Sequence, residues 1–211
     1  MRRAHAVFLA VLLGSLAART GRAAEGTTEI NLDDDFTDGL DSGKWKMPEG
    51  LGATSGSGLI LDADRAYGFI EAVIPDDAKP DITLAVQNEF TDGWATRSVS
   101  LRVRRDSGGV IFARVLAWKD TRDAENVNVR PTVGIVGGNA NTQTTTAGQT
   151  SGTLILTLVG ATATATFDGV ASAEIADAPT GDCVTLIRLE MQGDPELVKH
   201  GVVNLTATSS G

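Results

Sequence analysis

Apolar side chains in this chain recur at every second position, in runs of six to ten residues, and no segment sustains a 3.6-residue period. Alternation puts successive side chains on opposite faces of an extended strand, whereas an amphipathic helix needs its apolar residues three and four apart. The runs at 58–63, 67–74, 82–90, 97–105, 109–118, 130–137, 152–160, 162–169, 170–176, 183–192 and 202–208 give about eleven strands. Turn residues separate them at short, regular intervals, as in an all-β sandwich or barrel. Asp168-Gly169 marks a type I′ hairpin, in which both central residues need positive φ. The longest irregular stretch, 137–152 (GGNANTQTTTAGQTSG), holds no charged or aromatic residue and reads as a surface loop rather than a binding loop. No repeat or linker interrupts the pattern, so a single domain is expected.

Residues 1–23 are expected to be a cleaved export signal. Arg2 and Arg3 form a basic start, 4–16 an apolar core, and Gly21-Arg22-Ala23 a small-x-small cleavage site. The apolar core is too short to span a bilayer, which weighs against an uncleaved anchor. The arginine pair lacks a following Phe-Leu-Lys, which favours the general secretory route over the twin-arginine one. The domain then occupies 24–211, and its destination is periplasmic, cell-surface or extracellular. The full chain has 18 Lys and Arg against 27 Asp and Glu; losing Arg2, Arg3, Arg19 and Arg22 leaves 14 against 27, a net charge near −13. So acidic a domain repels nucleic acid and anionic membrane, and no later apolar run is long enough for a membrane span. Cys183, the single cysteine, excludes an intramolecular disulfide. At the head of a strand-like run, it suits a small buried apolar role better than a reactive thiol.

The pattern DDDFTDGLDSGKWKM at 33–47, then GSGLILDADRAYGFIEAV at 56–73, resembles the N-terminal part of concanavalin A-like lectin/glucanase domains. The segment GTLILTLVGATATATFDGVASAEI at 152–175 is similar to the strand-turn-strand portion of the same class. The resemblance implies an all-β, two-sheet antiparallel β-sandwich of the jelly-roll, laminin G-like kind, with first and last strands adjacent. Phe36 and Trp45 are then expected to plug one end of the sandwich. The resemblance also raises a structural Ca²⁺, for which Asp33, Asp35 and Asp38 are the candidate ligands; otherwise no cofactor is expected. The spacing is not that of a dedicated calcium loop, and the other reading is a charged edge strand followed by turns built on Asp38-Gly39 and Ser42-Gly43.

Retaining glucanases of this class carry Glu-x-Asp-x-x-Glu on one strand, and that motif is absent here. The nearest stretch, RLEMQGDPE at 188–196, has the wrong spacing and a proline before its last glutamate. A carboxylate pair would have to come from two strands, with Glu89 and Glu190 the candidates, their carboxyls about 5 Å apart for retention or about 6.5–9.5 Å for inversion. By alternation Gln87 pairs with Glu89, Arg102 and Arg104 with Ser98 and Ser100, and Arg188 with Glu190 and Gln192, each set opposite an apolar face. Such polar faces are either solvated surface or, as the resemblance implies, a concave sugar-binding face in which Gln87, Arg102, Arg104 and Arg188 bond hydroxyls. Trp94 and Trp118 are the aromatic platforms available for stacking on a sugar, against the alternative of core or edge packing. His5 and His200 have no visible metal or triad partner, and phosphate loops, zinc spacings and serine-hydrolase elbows are missing.

The expected function is therefore an exported, non-catalytic β-sandwich that binds carbohydrate or a cell-surface polymer. The alternatives are a structural or adhesive envelope domain without a small ligand, and a glucanase-type glycoside hydrolase or polysaccharide lyase. Expression in an export-competent host should yield a mature chain whose N-terminal sequence starts at Ala24; retention of residues 1–23 would refute the cleaved signal.

Overall fold

The computed structural model describes residues 26–49, 53–55, 58–60, 67–90, 97–120, 123–136, 138–147, 151–169, 171–193 and 200–209. The expected export signal and Trp94 lie outside them. Among the described residues there is no helix, and sixteen strands form two antiparallel sheets. In chain order they are β1 (Asn31–Asp34), β2 (Trp45–Glu49), β3 (Ala53–Ser55), β4 (Gly58–Ile60), β5 (Tyr67–Ala72), β6 (Ile82–Phe90), β7 (Arg97–Arg105) and β8 (Val110–Asp120). They continue as β9 (Asp123–Ile135), β10 (Gly138–Asn141), β11 (Thr144–Ala147), β12 (Ser151–Val159), β13 (Thr162–Phe167), β14 (Ala171–Ile175), β15 (Val184–Gln192) and β16 (His200–Ser209). The first sheet runs β14-β13-β12-β6-β16-β4-β3, with β1 also on β16; the second runs β10-β9-β8-β7-β15-β5-β2, with β11 also on β9. This is the expected open jelly-roll sandwich, first and last strands adjacent.

Every central strand buries one side of its alternation. Leu84, Val86, Leu154, Leu156, Leu158 and Phe167 from the first sheet meet Val99, Leu101, Val103, Ile111, Val115 and Leu189 from the second, all fully buried in one core. Removing such branched side chains from water stabilises the fold by roughly 1.5–3 kcal/mol each before conformational entropy is charged against it. Asp168 and Gly169 take positive φ of 48° and 67°, as the turn signal requires. Phe167 pairs with Ala171, so the connection is one residue longer than a two-residue hairpin.

The stretch 137–152 differs from its sequence reading. It contains β10 and β11, both paired with β9, which itself begins seven residues earlier than the 130–137 run implies. β10 is largely exposed and has no apolar stripe to betray it; its order comes from backbone pairing with a long neighbour. The short strands β2 and β3 escape the alternation pattern for the same reason, having too few residues to show a period.

The acidic entry segment is built as a plug. Phe36 and Trp45 are 0% and 2% exposed, their rings 5.8 Å apart. Asp34 fastens both: one carboxylate oxygen accepts from the Phe36 backbone N–H at 2.8 Å and the other from the Trp45 indole N–H at 2.8 Å. The chain turns sharply at Phe36, whose φ of 56° is unusual for a bulky residue.

Arg105 ties the opposite end of β7. Alternation puts it with Val99, Leu101 and Val103 on the inner side, and it is 1% exposed. Its guanidinium donates to the carbonyls of Pro80 (3.0 Å), Gly160 (2.6 Å) and Pro179 (3.0 Å) and meets the Asp81 carboxylate at 3.2 Å. One side chain thereby joins the start of β6, the β12–β13 turn and the segment before β15. Arg105→Met removes the donors and strands their acceptors, so a loss of about 3 kcal/mol is expected, a fall in melting temperature of roughly 6–12 °C. A melting temperature within 2 °C of the parent's would show that the tie is dispensable.

Candidate functional site

The inner side of the second sheet is committed to the core, so its other side holds the remaining chemistry. In β7 the outward residues are Ser98, Ser100, Arg102 and Arg104, and in β15 they are Arg188, Glu190 and Gln192. β5 contributes Tyr67, Phe69 and Glu71; β8 contributes Phe112, Arg114, Leu116 and Trp118; β9 contributes Asn128, Arg130 and Thr132. Register aligns them in rows across the sheet. Glu71, Arg188, Arg102 and Phe112 form one row, Phe69, Glu190, Ser100, Arg114 and Thr132 the next, and Tyr67, Gln192, Ser98, Leu116 and Arg130 the third.

Ion pairs and ring contacts hold these groups in place. Arg188 donates through Nε and Nη2 to Glu71 Oε1 at 3.0 and 2.5 Å, and its Nη1 stands 3.7 Å from Glu190 Oε1. Arg102 Nε lies 2.6 Å from the same Glu190 oxygen, out of line for a directed hydrogen bond. Glu190 is only 5% exposed, a carboxylate that the two guanidinium groups compensate. Three arginines also lie over aromatic rings: Arg188 over Phe69 at 4.0 Å, Arg130 over Trp118 at 5.4 Å and Arg102 over Phe112 at 5.6 Å. Gly134, register partner of Phe112, has no room for a side chain; a Cβ there would come within 2.6 Å of the Phe112 ring.

A cavity of about 170 Å³ opens in this face between Tyr67, Ser98, Ser100, Arg102, Arg114 and Glu190. Burial pushes the Tyr67 phenol above its ordinary pKa, and the Glu190 carboxylate pushes it further in the same direction. The phenol thus stays protonated, its hydroxyl bonded to the Glu190 carboxylate. The Nε atoms of Arg114 and Arg130 and the hydroxyl of Thr132 are buried without a hydrogen-bond partner.

The sequence-derived candidates divide. Arg102, Arg188 and Trp118 stand on this face, with Arg104 at its exposed margin bonded to Thr185. Gln87 does not join them: it sits on β6, exposed on the outside of the first sheet. Alternation tells which side of a strand a residue takes but not which sheet the strand enters. The same fact separates the proposed catalytic pair, since Glu89 is on β6 and Glu190 on β15, in opposite sheets. Two carboxyls on the outer sides of two stacked sheets cannot flank one glycosidic bond at the distances either mechanism needs. Trp94 is outside the described residues. Phe69, Phe112, Arg114, Arg130 and Glu71 were not singled out from the sequence, although each falls on the same side of its strand as a residue that was, or lies one strand away.

Asp33, Asp35 and Asp38 border a depression at the β1 end together with Asp34, Asp41 and Lys44. Asp35 accepts the Thr37 N–H at 3.0 Å and hydroxyl at 2.8 Å, and Asp41 the Gly43 N–H at 2.8 Å. The Thr37 backbone N–H, with its hydroxyl, lowers the Asp35 pKa below the usual value. The Lys44 ammonium reaches the Asp33 carbonyl at 2.7 Å, already placing a cation in the loop. Among the described residues, no three acidic, imidazole or thiol side chains are grouped to hold a metal. Cys183 is buried, and burial raises its thiol pKa, so the thiolate is disfavoured.

Neither a protein-family model nor a curated protein matches the chain. Among solved structures it superposes on a non-specific endo-β-1,3(4)-glucanase of family GH16 with a TM-score of 0.60 at 12% identity, covering 91% of this chain and 98% of that one. It is also similar to the carbohydrate-binding module CBM66 from Bacillus subtilis, with a TM-score of 0.53 at 17% identity over 79% and 96% of the two chains. A Crh5 transglycosylase in complex with NAG gives 0.55 at 14%, over 89% and 86%. The fold is thus the concanavalin A-like jelly roll.

The carboxylates of Asp34, Asp35 and Asp41 are already engaged by N–H and O–H donors of the segment itself. Excess EDTA should leave the melting temperature unchanged, and millimolar Ca²⁺ should not raise it; a saturable rise with Ca²⁺ would assign the 33–41 loop to metal.

Proposed function

We propose that the chain is an exported polysaccharide-binding domain, without catalysis of its own, that takes its ligand across the outer face of the second sheet. The observation that carries this is the convergence of Tyr67, Phe112, Arg102, Arg114 and Glu190 around one cavity, with Phe69, Trp118 and Arg188 on the same sheet face and the groups fixed by ion pairs and ring contacts. Preorganised donors, held in place on aromatic rings, suit a ligand rich in hydroxyls. A cavity of about 170 Å³ is smaller than the roughly 300–1,000 Å³ of a drug-sized site, and fits one sugar unit of a longer chain lying across the strands. Glucanases and carbohydrate-binding modules that share the fold support a polysaccharide partner. The non-catalytic assignment rests on the absent glucanase motif and on Glu71 and Glu190 each being held by an arginine rather than facing each other across an open cleft.

Affinity electrophoresis and calorimetry against a panel of soluble polysaccharides should find binding without release of reducing ends. Trp118→Ala and Arg102→Ala should each weaken it about tenfold or more, roughly 1.4 kcal/mol, with the circular dichroism spectrum unchanged. Failure to bind any polysaccharide at millimolar ligand, or full affinity in both variants, would overturn the proposal.

A further inference from the structure

Charge is distributed unevenly over this protein. The chain as a whole carries −9, yet among the outward side chains described on β5, β7, β8, β9 and β15 there are five arginines, at 102, 104, 114, 130 and 188, against two carboxylates, Glu71 and Glu190. Those glutamates are used up on Arg102 and Arg188. Among the described residues no carboxylate pairs with Arg114 or Arg130, which occupy neighbouring rows: Arg114 is registered with Thr132, and Arg130 lies two residues before Thr132 on β9.

Both arginines are partly withdrawn from water. Their Nε atoms are buried without an acceptor, and Thr132, 1% exposed, has a hydroxyl with no partner beside Arg114. A cation without a carboxylate partner at a partly dried site is costly, and an anionic ligand lowers that cost. The Arg130 guanidinium lies over the Trp118 ring and the Arg102 guanidinium over Phe112. These rings are therefore covered by cations and do not present bare surface to a neutral sugar. Arg130 Nη2 donates to Gln143 Oε1 at 3.1 Å, which leaves its Nη1, together with the guanidinium of Arg114, for charge-assisted contact with an oxyanion.

We infer that the ligand is an acidic polysaccharide, whose carboxylate or sulfate groups are received by Arg114 and Arg130 while the sugar ring occupies the cavity lined by Tyr67, Ser100 and Glu190. This rests on the polysaccharide-binding proposal and narrows it. The serines and Tyr67 supply hydroxyl contacts to the ring, and the arginine excess supplies the selection: neutral chains leave its charge uncompensated, and acidic ones do not.

The test uses the full mature chain and soluble polymers of matched length: a polyuronate, a sulfated galactan and a neutral β-glucan. The acidic polymers should bind at least tenfold more tightly than the glucan at low salt, and the advantage should shrink as salt screens the charges. The polyuronate and sulfate arms show which oxyanion the site takes. Arg114→Gln and Arg130→Gln should each remove most of that advantage, Arg114→Lys should restore part of it, and Thr157→Ser on the other sheet should change nothing. Equal affinity for neutral and acidic polymers, insensitive to Arg114→Gln and Arg130→Gln, would overturn the acidic ligand and leave polysaccharide binding standing. Binding to none of the three would overturn both.

Discussion

Burial of Leu, Val, Ile and Ala side chains between the two sheets places every other group in the molecule, because an extended chain cannot turn one residue inward without turning its neighbours outward. Val99, Leu101 and Val103 fix Ser98, Ser100 and Arg102 on the outside; Ile187 and Leu189 do the same for Arg188 and Glu190. A slip of one residue in β15 would carry Arg188 and Glu190 into the core and leave two charges without water. The dry seam therefore sets the order of the polar rows as firmly as it sets the stability of the fold.

Electrostatics then works on positions that packing has already chosen. In a chain rich in carboxylates, arginines are gathered on one sheet face, where each of two glutamates neutralises a neighbour, Arg130 lies over a ring, Arg114 is partly buried and Arg104 stands at the exposed margin. Arginine rather than lysine suits this use, since a flat, weakly hydrated guanidinium tolerates the face of an aromatic ring better than an ammonium does. Arg105 shows the opposite solution, a buried cation satisfied by three backbone carbonyls and one carboxylate and spent wholly on architecture.

Much of this was legible in the sequence because period-two alternation is a local signal. The central strands, the burial of Phe36 and Trp45, the turn at Asp168-Gly169 and the side of the strand taken by Arg102, Arg188 and Glu190 all follow from neighbours a few residues away. What stayed hidden depends on pairing between distant segments. Gln87 and Glu89 look like companions of Arg102 until β6 is seen to enter the other sheet. Arg105 lies two residues after Val103, and alternation alone assigns it to the inner side, but its acceptors at 80, 160 and 179 belong to segments that only the fold brings together. The short strands β10 and β11 are exposed or partly exposed and carry only one alanine each, so hydrophobicity could not announce them.

The pairing of β1 with β16 has a mechanical meaning. Asn31 faces Thr208, and the Ser209 N–H reaches the Ile30 carbonyl at 3.1 Å, so residues 30 and 209 lie side by side at one tip of an antiparallel ladder, with Gly26 and Thr28 bonded beyond it to Asp182, Asp77 and Lys79. Tension transmitted along the chain would load those hydrogen bonds one after another, as in opening a zipper, rather than all at once in shear. Under the proposed function, a polymer held on the outer face of the other sheet is displaced from that line of force. The part of the molecule that yields first under load is thus separate from the part proposed to grip.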